Sequence, residues 1–537
     1  MRVRAELVVK ESLVCLMLFV FLSAGNTRAQ DDENKPTPKF TLSRETTFLT
    51  APIKKNGFVD YAAGINQQLK KGITAKDNAA VELYKALGPK PENCKLPDKF
   101  FAEIGMERPP ERGEYLKSLF ELVDKSKMTE AQVDQLYKVQ FLTMKQPWQS
   151  QRYSRIAYWL ANNQIPLKHF RLASQRSKYY SPIIVDTEEP HDPGLLMLAL
   201  LPGPQESRDG ARLLCSQAML SLGQRRVNDA WSDLLACKRL GRLIGQGPTI
   251  IESLIGTAIE GLSHEAMVTL IRESSLTHQQ INQFREQLKA VPPISPLHKK
   301  TDLMERCMVL DALGAIARRS TSDLESLELS MEMSKLAKIV ATFDLKIDLD
   351  TAYRVCNQKA NRLTKIMETP DFEERCKLLQ QFKKEEAALI ERMKDLRADK
   401  GLAPEHLEKT FSKLMAEIAV IVSDSGASAA NQAIQRIKQN EILFDTALGL
   451  SAFATEFGKF PNELSELKPN HLPNKPIDLY TGESLIYKRN GPGYLLYSVG
   501  PNKKDEMGRS YDDEPQGDDL IIRTERPKRR AIKRKKR

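Results

Sequence analysis

A chain of 537 residues with 41% apolar side chains is long enough for about two to four domains, each with its own core. Its net charge of +11 is concentrated: Arg523–Arg537 holds ten Lys or Arg and one Glu, so the other 522 residues are nearly balanced, which excludes a broadly basic protein. Seven cysteines, none in a CxxC pair, are too few for a disulfide scaffold and predict buried free thiols with at most one bridge.

The first 29 residues predict a signal peptide. Arg2, Arg4 and Lys10 precede an apolar run, Leu13–Ala24, and small residues flank a cut after Ala29. The run has twelve residues, whereas a membrane span needs about 20. Cleavage and a periplasmic or secreted location are therefore expected, with no transmembrane span after the signal is removed. Residues 30–75 follow as a flexible N-terminal segment, charged and proline-bearing at Asp31–Lys39.

Residues 76–292 predict a helical domain. Thr129/Gln132 and Thr277/Gln280 have capping-box spacing, as do Ser322/Glu325 further on. Ala211–Leu222 and Val227–Ile244 carry helical periodicity around Gly223, resembling one tetratricopeptide-like hairpin, and a third helix contains Ile251, Leu254, Ile255, Ala258, Ile259 and Leu262. Val291–Pro296 is a boundary, because adjacent prolines disfavour helix.

Residues 297–425 predict a second helical, coiled-coil-like region. Helices are expected at Lys299–Ala317 and Ser322–Phe343, and an exposed one at Asp371–Lys400 capped by Thr369 before Pro370. Ser423–Ala430 reads as a hinge, and a helix from about Ala430 runs to Phe457.

After Gly458 the pattern changes. Leu485–Lys488, Tyr494–Ser498 and Asp519–Arg523 have strand composition, and Asn490-Gly491-Pro492-Gly493 signals a hairpin. Residues 430–523 are thus a separate α+β module, and 524–537 a basic disordered tail. The fold class is mainly α, an irregular helical body with a small C-terminal antiparallel sheet.

Phe453–Glu506 carries, in order, Gly458–x–Phe460–Pro461, Leu464–x–x–Leu467, Leu472–Pro473, Pro476–x–Asp478, Thr481–Gly482 and Tyr497–Ser498–x–Gly500–Pro501. This run resembles the C-terminal half of type II secretion major pseudopilins. A pseudopilin begins with a methylated apolar helix, whereas this N-terminus reads as a signal, so the resemblance implies a carrier of the module and not a filament subunit. It also implies calcium before the last strand, where Asp505, Asp512, Asp513, Asp518 and Asp519 lie. Calcium needs six to eight oxygens, and the alternative is a solvated acidic loop. The helical body is similar to a set of exported bacterial proteins through Trp159–Asn162, Tyr179–Pro182 and Gly245–Thr249, which implies a shared fold and no chemistry.

No nucleophile elbow or phosphate-binding loop occurs. His264–Glu265 begins like a zinc-protease helix, but Val268 stands where the second histidine belongs. Weak catalytic candidates are Glu252 and Glu260, on one side of the third helix, and His191 within Asp186–Asp192, itself a weak metal candidate. Their bland reading is a solvated face and an exposed acidic loop. Pro147–Pro182 is aromatic-rich and interleaved with cations; Trp148, Tyr153, Tyr158, Trp159, Tyr179 and Tyr180 are candidate ligand-stacking residues, or core. The leading functional expectation is an exported scaffold or binding protein of the bacterial cell envelope, contacting other envelope or secreted proteins through the module. The alternatives are an extracytoplasmic hydrolase with a carboxylate site, and a protein whose basic tail binds anionic polymer or lipid.

Overall fold

A computed structural model of the chain describes residues 40–123, 128–185, 195, 196, 199, 201–318, 347–398, 404–423 and 425–524. The helices, in chain order, are α1 (Tyr61–Leu69), α2 (Ala79–Leu87), α3 (Asp98–Glu103), α4 (Glu130–Lys145), α5 (Ser154–Ala161), α6 (Gln164–Ser174), α7 (Pro202–Gly223) and α8 (Val227–Ile244). There follow α9 (Ile250–Glu273), α10 (His278–Lys289), α11 (Arg306–Arg318), α12 (Leu349–Glu368), α13 (Phe372–Ala398), α14 (Pro404–Ser423) and α15 (Ser425–Phe457). Strands β1 (Ile486–Asn490), β2 (Gly493–Ser498) and β3 (Leu520–Arg523) form one antiparallel sheet in that order. The protein is mainly α with a small C-terminal sheet. Among the described residues, no helix is long and apolar enough to cross a membrane. The signal segment, Asp186–Asp192, Ser322–Phe343 with its capping box, and the basic tail beyond Thr524 lie outside the described residues.

The chain divides into two units that are not consecutive in sequence: residues 1–71, 183–200 and 297–428, and residues 72–182, 201–296 and 429–537.

In the first unit, α12 buries Leu349, Ala352, Tyr353, Cys356, Ala360, Leu363 and Met367, a stripe at helical spacing that packs on α11 and α14. α13 packs on α14 through buried Leu379 and Phe382, while most of its other described side chains are exposed or half-buried. Its cap is Asp371, whose Oδ1 accepts from Glu374 N at 2.7 Å, while Thr369 instead ends α12. The flexible segment expected over 30–75 is corrected for residues 40–75. Thr46, Thr47, Phe58, Tyr61 and Ile65 are buried. The Asn357 amide donates to the carbonyls of Thr46 at 2.6 Å and Glu45 at 3.1 Å, and the Arg306 guanidinium lies 4.4 Å from the Phe48 ring centre.

In the second unit, local signals set the helix ends. Thr129/Gln132 and Thr277/Gln280 form capping boxes, and so do Thr249 and Glu252. α7 and α8 form the hairpin at Gly223, with Arg225 in a left-handed conformation (φ 62°) at the turn. α8 and α9 touch backbone to backbone: a Cβ on Gly256 would sit 2.5 Å from the Gly241 carbonyl oxygen, and one on Gly241 would sit 2.7 Å from that of Gly256. Only glycine permits this approach.

The segment Ser423–Ala430, read as a hinge, contains the division between the two units, at residues 428 and 429. Ser423 is the last residue of α14, and residues 425–430 are the first turns of α15, so the small side chains there do not make a loop.

The C-terminal module lies in the second unit. Through α15 it is built into the second unit's helical core: Phe444 lies parallel to Trp231 (6.3 Å), which stacks on Phe284 of α10 (3.9 Å between centroids). The Gln439 carboxamide oxygen accepts from Leu479 N at 2.6 Å, tying the turn segment to the same helix. β1 and β2 pair from Ile486↔Tyr497 to Asn490↔Gly493, and β2 pairs with β3 from Leu495↔Arg523 to Ser498↔Leu520.

Candidate functional site

The loop joining β2 to β3 folds back on itself. Gly500 (φ 69°) and Gly508 (φ 76°) supply left-handed turns, and a Cβ on Gly508 would meet the Leu495 side chain at 2.6 Å. This folding brings Glu506, Asp518 and Asp519 together, with one oxygen from each within 4.8 Å of the others. Each carboxylate has one oxygen engaged. Asp519 Oδ2 accepts from Gly508 N (2.7 Å), Asp518 Oδ2 from Asn502 N (3.1 Å), and Glu506 Oε1 from the Asn502 amide (2.7 Å). The other oxygen of each, Asp519 Oδ1, Asp518 Oδ1 and Glu506 Oε2, is buried with no hydrogen-bond partner. Asp519 is only 2% exposed.

The electrostatics follow from this crowding. Burial, then Glu506, pushes the Asp519 carboxyl up to about 6. Burial and Glu506 also raise Asp518. Glu506 is held low, first by the Asn502 amide. Three full negative charges so close need a cation or a shared proton to offset them. An all-oxygen donor set of carboxylates suits a hard divalent cation, and loop carbonyls or water would complete the six to eight oxygens that calcium takes.

Of the five expected calcium residues, only Asp518 and Asp519 are in this cluster. Asp505 accepts from the Tyr497 hydroxyl (3.0 Å) and Met507 N (2.7 Å). Asp513 is tied to Ser510 N (2.8 Å) and to Arg523 (2.7 Å), and Asp512 is exposed. Glu506 was missed because nothing in the local sequence separates it from its acidic neighbour.

The catalytic candidates have structural bonds instead. Glu252 closes the α9 capping box, accepting from Thr249 N (3.0 Å) and Oγ1 (2.9 Å). Glu260 is buried against Lys238 (3.1 Å) and Arg242 (2.7 Å). Eight residues along a helix is about 12 Å, so the two carboxylates do not form a working pair. His191 lies outside the described residues. The aromatic candidates are mostly core, a correction to the stacking reading. Trp148, Trp159, Tyr179 and Tyr180 are buried, with both indoles donating to carbonyls, of Ser216 (3.0 Å) and Lys117 (2.9 Å). Tyr153 is half-buried, and Tyr158 alone is exposed.

A second feature went unread in the sequence. A cavity of about 300 Å³ lies between α8, α9, α10 and α15, with His264 in its wall. Burial, then Lys238, lowers the His264 imidazole to about 3, so the ring is neutral. Glu441 is held ionised, since Lys238 (2.8 Å) and Arg242 (2.5 Å) outweigh the effect of its burial. No family model, curated protein or solved structure matches this chain.

Proposed function

We propose that the protein is an exported binding or scaffold protein of the cell envelope, whose C-terminal module is held in its working shape by a calcium ion on Glu506, Asp518 and Asp519. The observation that carries this reading is the convergence of three carboxylates, each keeping a buried oxygen without a partner. The resemblance of Phe453–Glu506 to pseudopilins, and the signal-like N-terminus, supply the envelope setting. The same loop exposes Met507 (64%) and Tyr511 (43%), apolar groups suited to contact with another protein. A cation that orders the loop would fix where those two side chains point. A carboxylate hydrolase has less support, because Glu252 and Glu260 are both held in structural bonds.

The test is calorimetric titration of the full, metal-stripped chain with calcium chloride. One saturable site is expected, lost in Glu506→Gln and in Asp519→Asn and kept in Asp512→Asn. Equal binding by all four proteins would sink the assignment. The adaptor part is tested with Met507→Glu and Tyr511→Glu, which should lose envelope cross-links while still binding calcium. Truncation from Phe444 is unsuitable, since it removes the end of α15 from the core.

A further inference from the structure

The cavity beside His264 is independent of the cation cluster and carries an inference of its own. Its size, about 300 Å³, is at the lower end of the range for small-molecule pockets. One wall is apolar, formed by Met267, Leu288 and Phe444. Phe444 is braced, lying parallel to Trp231 and edge-on to the His264 ring at 6.0 Å, so this wall is preformed.

The polar wall has donors left over. Arg285 gives Nε to the Asp445 carboxylate (2.9 Å) and Nη2 to the Asp445 carbonyl (3.0 Å), which leaves Nη1 with no acceptor among the described residues. Among the described residues Lys289 is paired only with Glu286, at 2.8 Å, in a pair about 70% exposed on both sides, and water weakens such a pair. Neither ring nitrogen of His264 has a hydrogen-bond partner among the described residues. The two acids in the lining are already matched, Glu441 by Lys238 and Arg242, and Asp445 by Arg285. With Arg242, Glu260 and Glu286 counted beside the lining residues, the charges here balance, so the attraction for an anion is local, at Arg285 Nη1 and at the solvent-exposed Lys289 ammonium.

We propose that this cavity binds a small amphipathic carboxylate, an organic monoanion whose apolar body lies on Phe444 and Leu288 and whose carboxylate is taken by Arg285 and Lys289. His264 adds a neutral donor or acceptor for a hydroxyl or amide on the same molecule. The neutral ring matters because an imidazolium would attract anions without discrimination, whereas imidazole selects by hydrogen-bond geometry. The unbonded Arg285 Nη1 and the exposed Lys289 ammonium disfavour a cation at that end of the cavity.

The experiment uses the full chain with three probes of one shape and different charge: 3-phenylpropionate, 3-phenylpropanol and 3-phenylpropylamine. Saturation-transfer NMR and calorimetry read the binding. The carboxylate should bind at least about tenfold more tightly than the alcohol, and the amine should not bind. Leu288→Trp, which fills the cavity, should abolish binding. Lys289→Met, at an exposed position where folding is not at risk, should weaken the acid about three- to tenfold and leave the alcohol unchanged. Equal binding of acid and alcohol, preference for the amine, no binding of the acid at about 10 mM, or an acid affinity unmoved by Lys289→Met would each overturn the proposal.

Discussion

Asp519→Asn in the β2–β3 loop should change sign with calcium. The substitution keeps a side-chain oxygen for the Gly508 amide, which Asp519 now accepts at 2.7 Å. It removes one of three negative charges whose nearest oxygens lie within 4.8 Å. At that separation one pair of unit charges repels by about 1 kcal/mol in bulk water and by about 3 kcal/mol at an effective dielectric of about 20. Two such pairs disappear, so without metal the loop should be at least as stable in the variant, by roughly 1–2 kcal/mol even in the water limit. With calcium at a hundred times its dissociation constant, the wild-type loop gains about 2.7 kcal/mol, and the variant should not. Hydrogen exchange of residues 500–519 reads both arms, because local opening sets protection there. In chelator, Asp519→Asn should exchange roughly five- to thirtyfold more slowly than wild type. In calcium, wild type should slow about a hundredfold and the variant should stay behind. Wild-type exchange that ignores calcium, or a variant shifted equally in both conditions, would refute the reasoning.

Other perturbations test the helical core. Glu260→Gln leaves Lys238 and Arg242 buried with Glu441 as their remaining carboxylate; a loss of about 3–5 kcal/mol is expected in urea unfolding followed by the fluorescence of the three buried tryptophans. Gly256→Ala drives a methyl against the Gly241 carbonyl and should cost about 1–3 kcal/mol in the same assay. For His264, the folded value of about 3 lies below the ordinary 6.5. As pH falls, the unfolded chain takes up the proton first, so this contribution to stability is whole above pH 6.5 and lost progressively toward pH 3. Lys238 and Glu441 face the ring, and Lys238 with Arg242 holds the Glu441 carboxyl below the usual carboxylate range despite its burial. Between pH 7.5 and pH 5 the protein should lose about 1–2 kcal/mol that His264→Phe does not lose, read by denaturant midpoints at each pH.

Much of the helical layout was legible in the sequence because its causes are local. Thr129/Gln132 and Thr277/Gln280 satisfy their own backbone donors within one turn, and the structure has those capping boxes. Val227–Ile244 matches its helix end to end, and the three C-terminal strands lie within two residues of their expected places. The cap before α13 was misread as Thr369, since two hydrogen-bonding side chains flank Pro370 and only the backbone path selects Asp371. Residues 40–75 read as flexible because their order comes from partners such as Asn357 and Arg306, which lie 311 and 258 residues along the chain from Thr46 and Phe48.

The site residues divide along the same line. An acidic stretch before the last strand was visible, but Asp505, Asp512, Asp513, Asp518 and Asp519 are indistinguishable by composition. Which of them meet depends on the register of β2 with β3 and on the turns at Gly500 and Gly508, and that geometry admits Glu506 and sends Asp513 to Arg523. Likewise, Lys238, His264, Arg285 and Glu441 stand on four helices up to 203 residues apart. Short-range hydrogen bonding and periodicity, properties of a few neighbouring residues, are therefore what the sequence determined by itself. Convergence of charged groups from distant elements is a property of packing, and only the tertiary structure decided it.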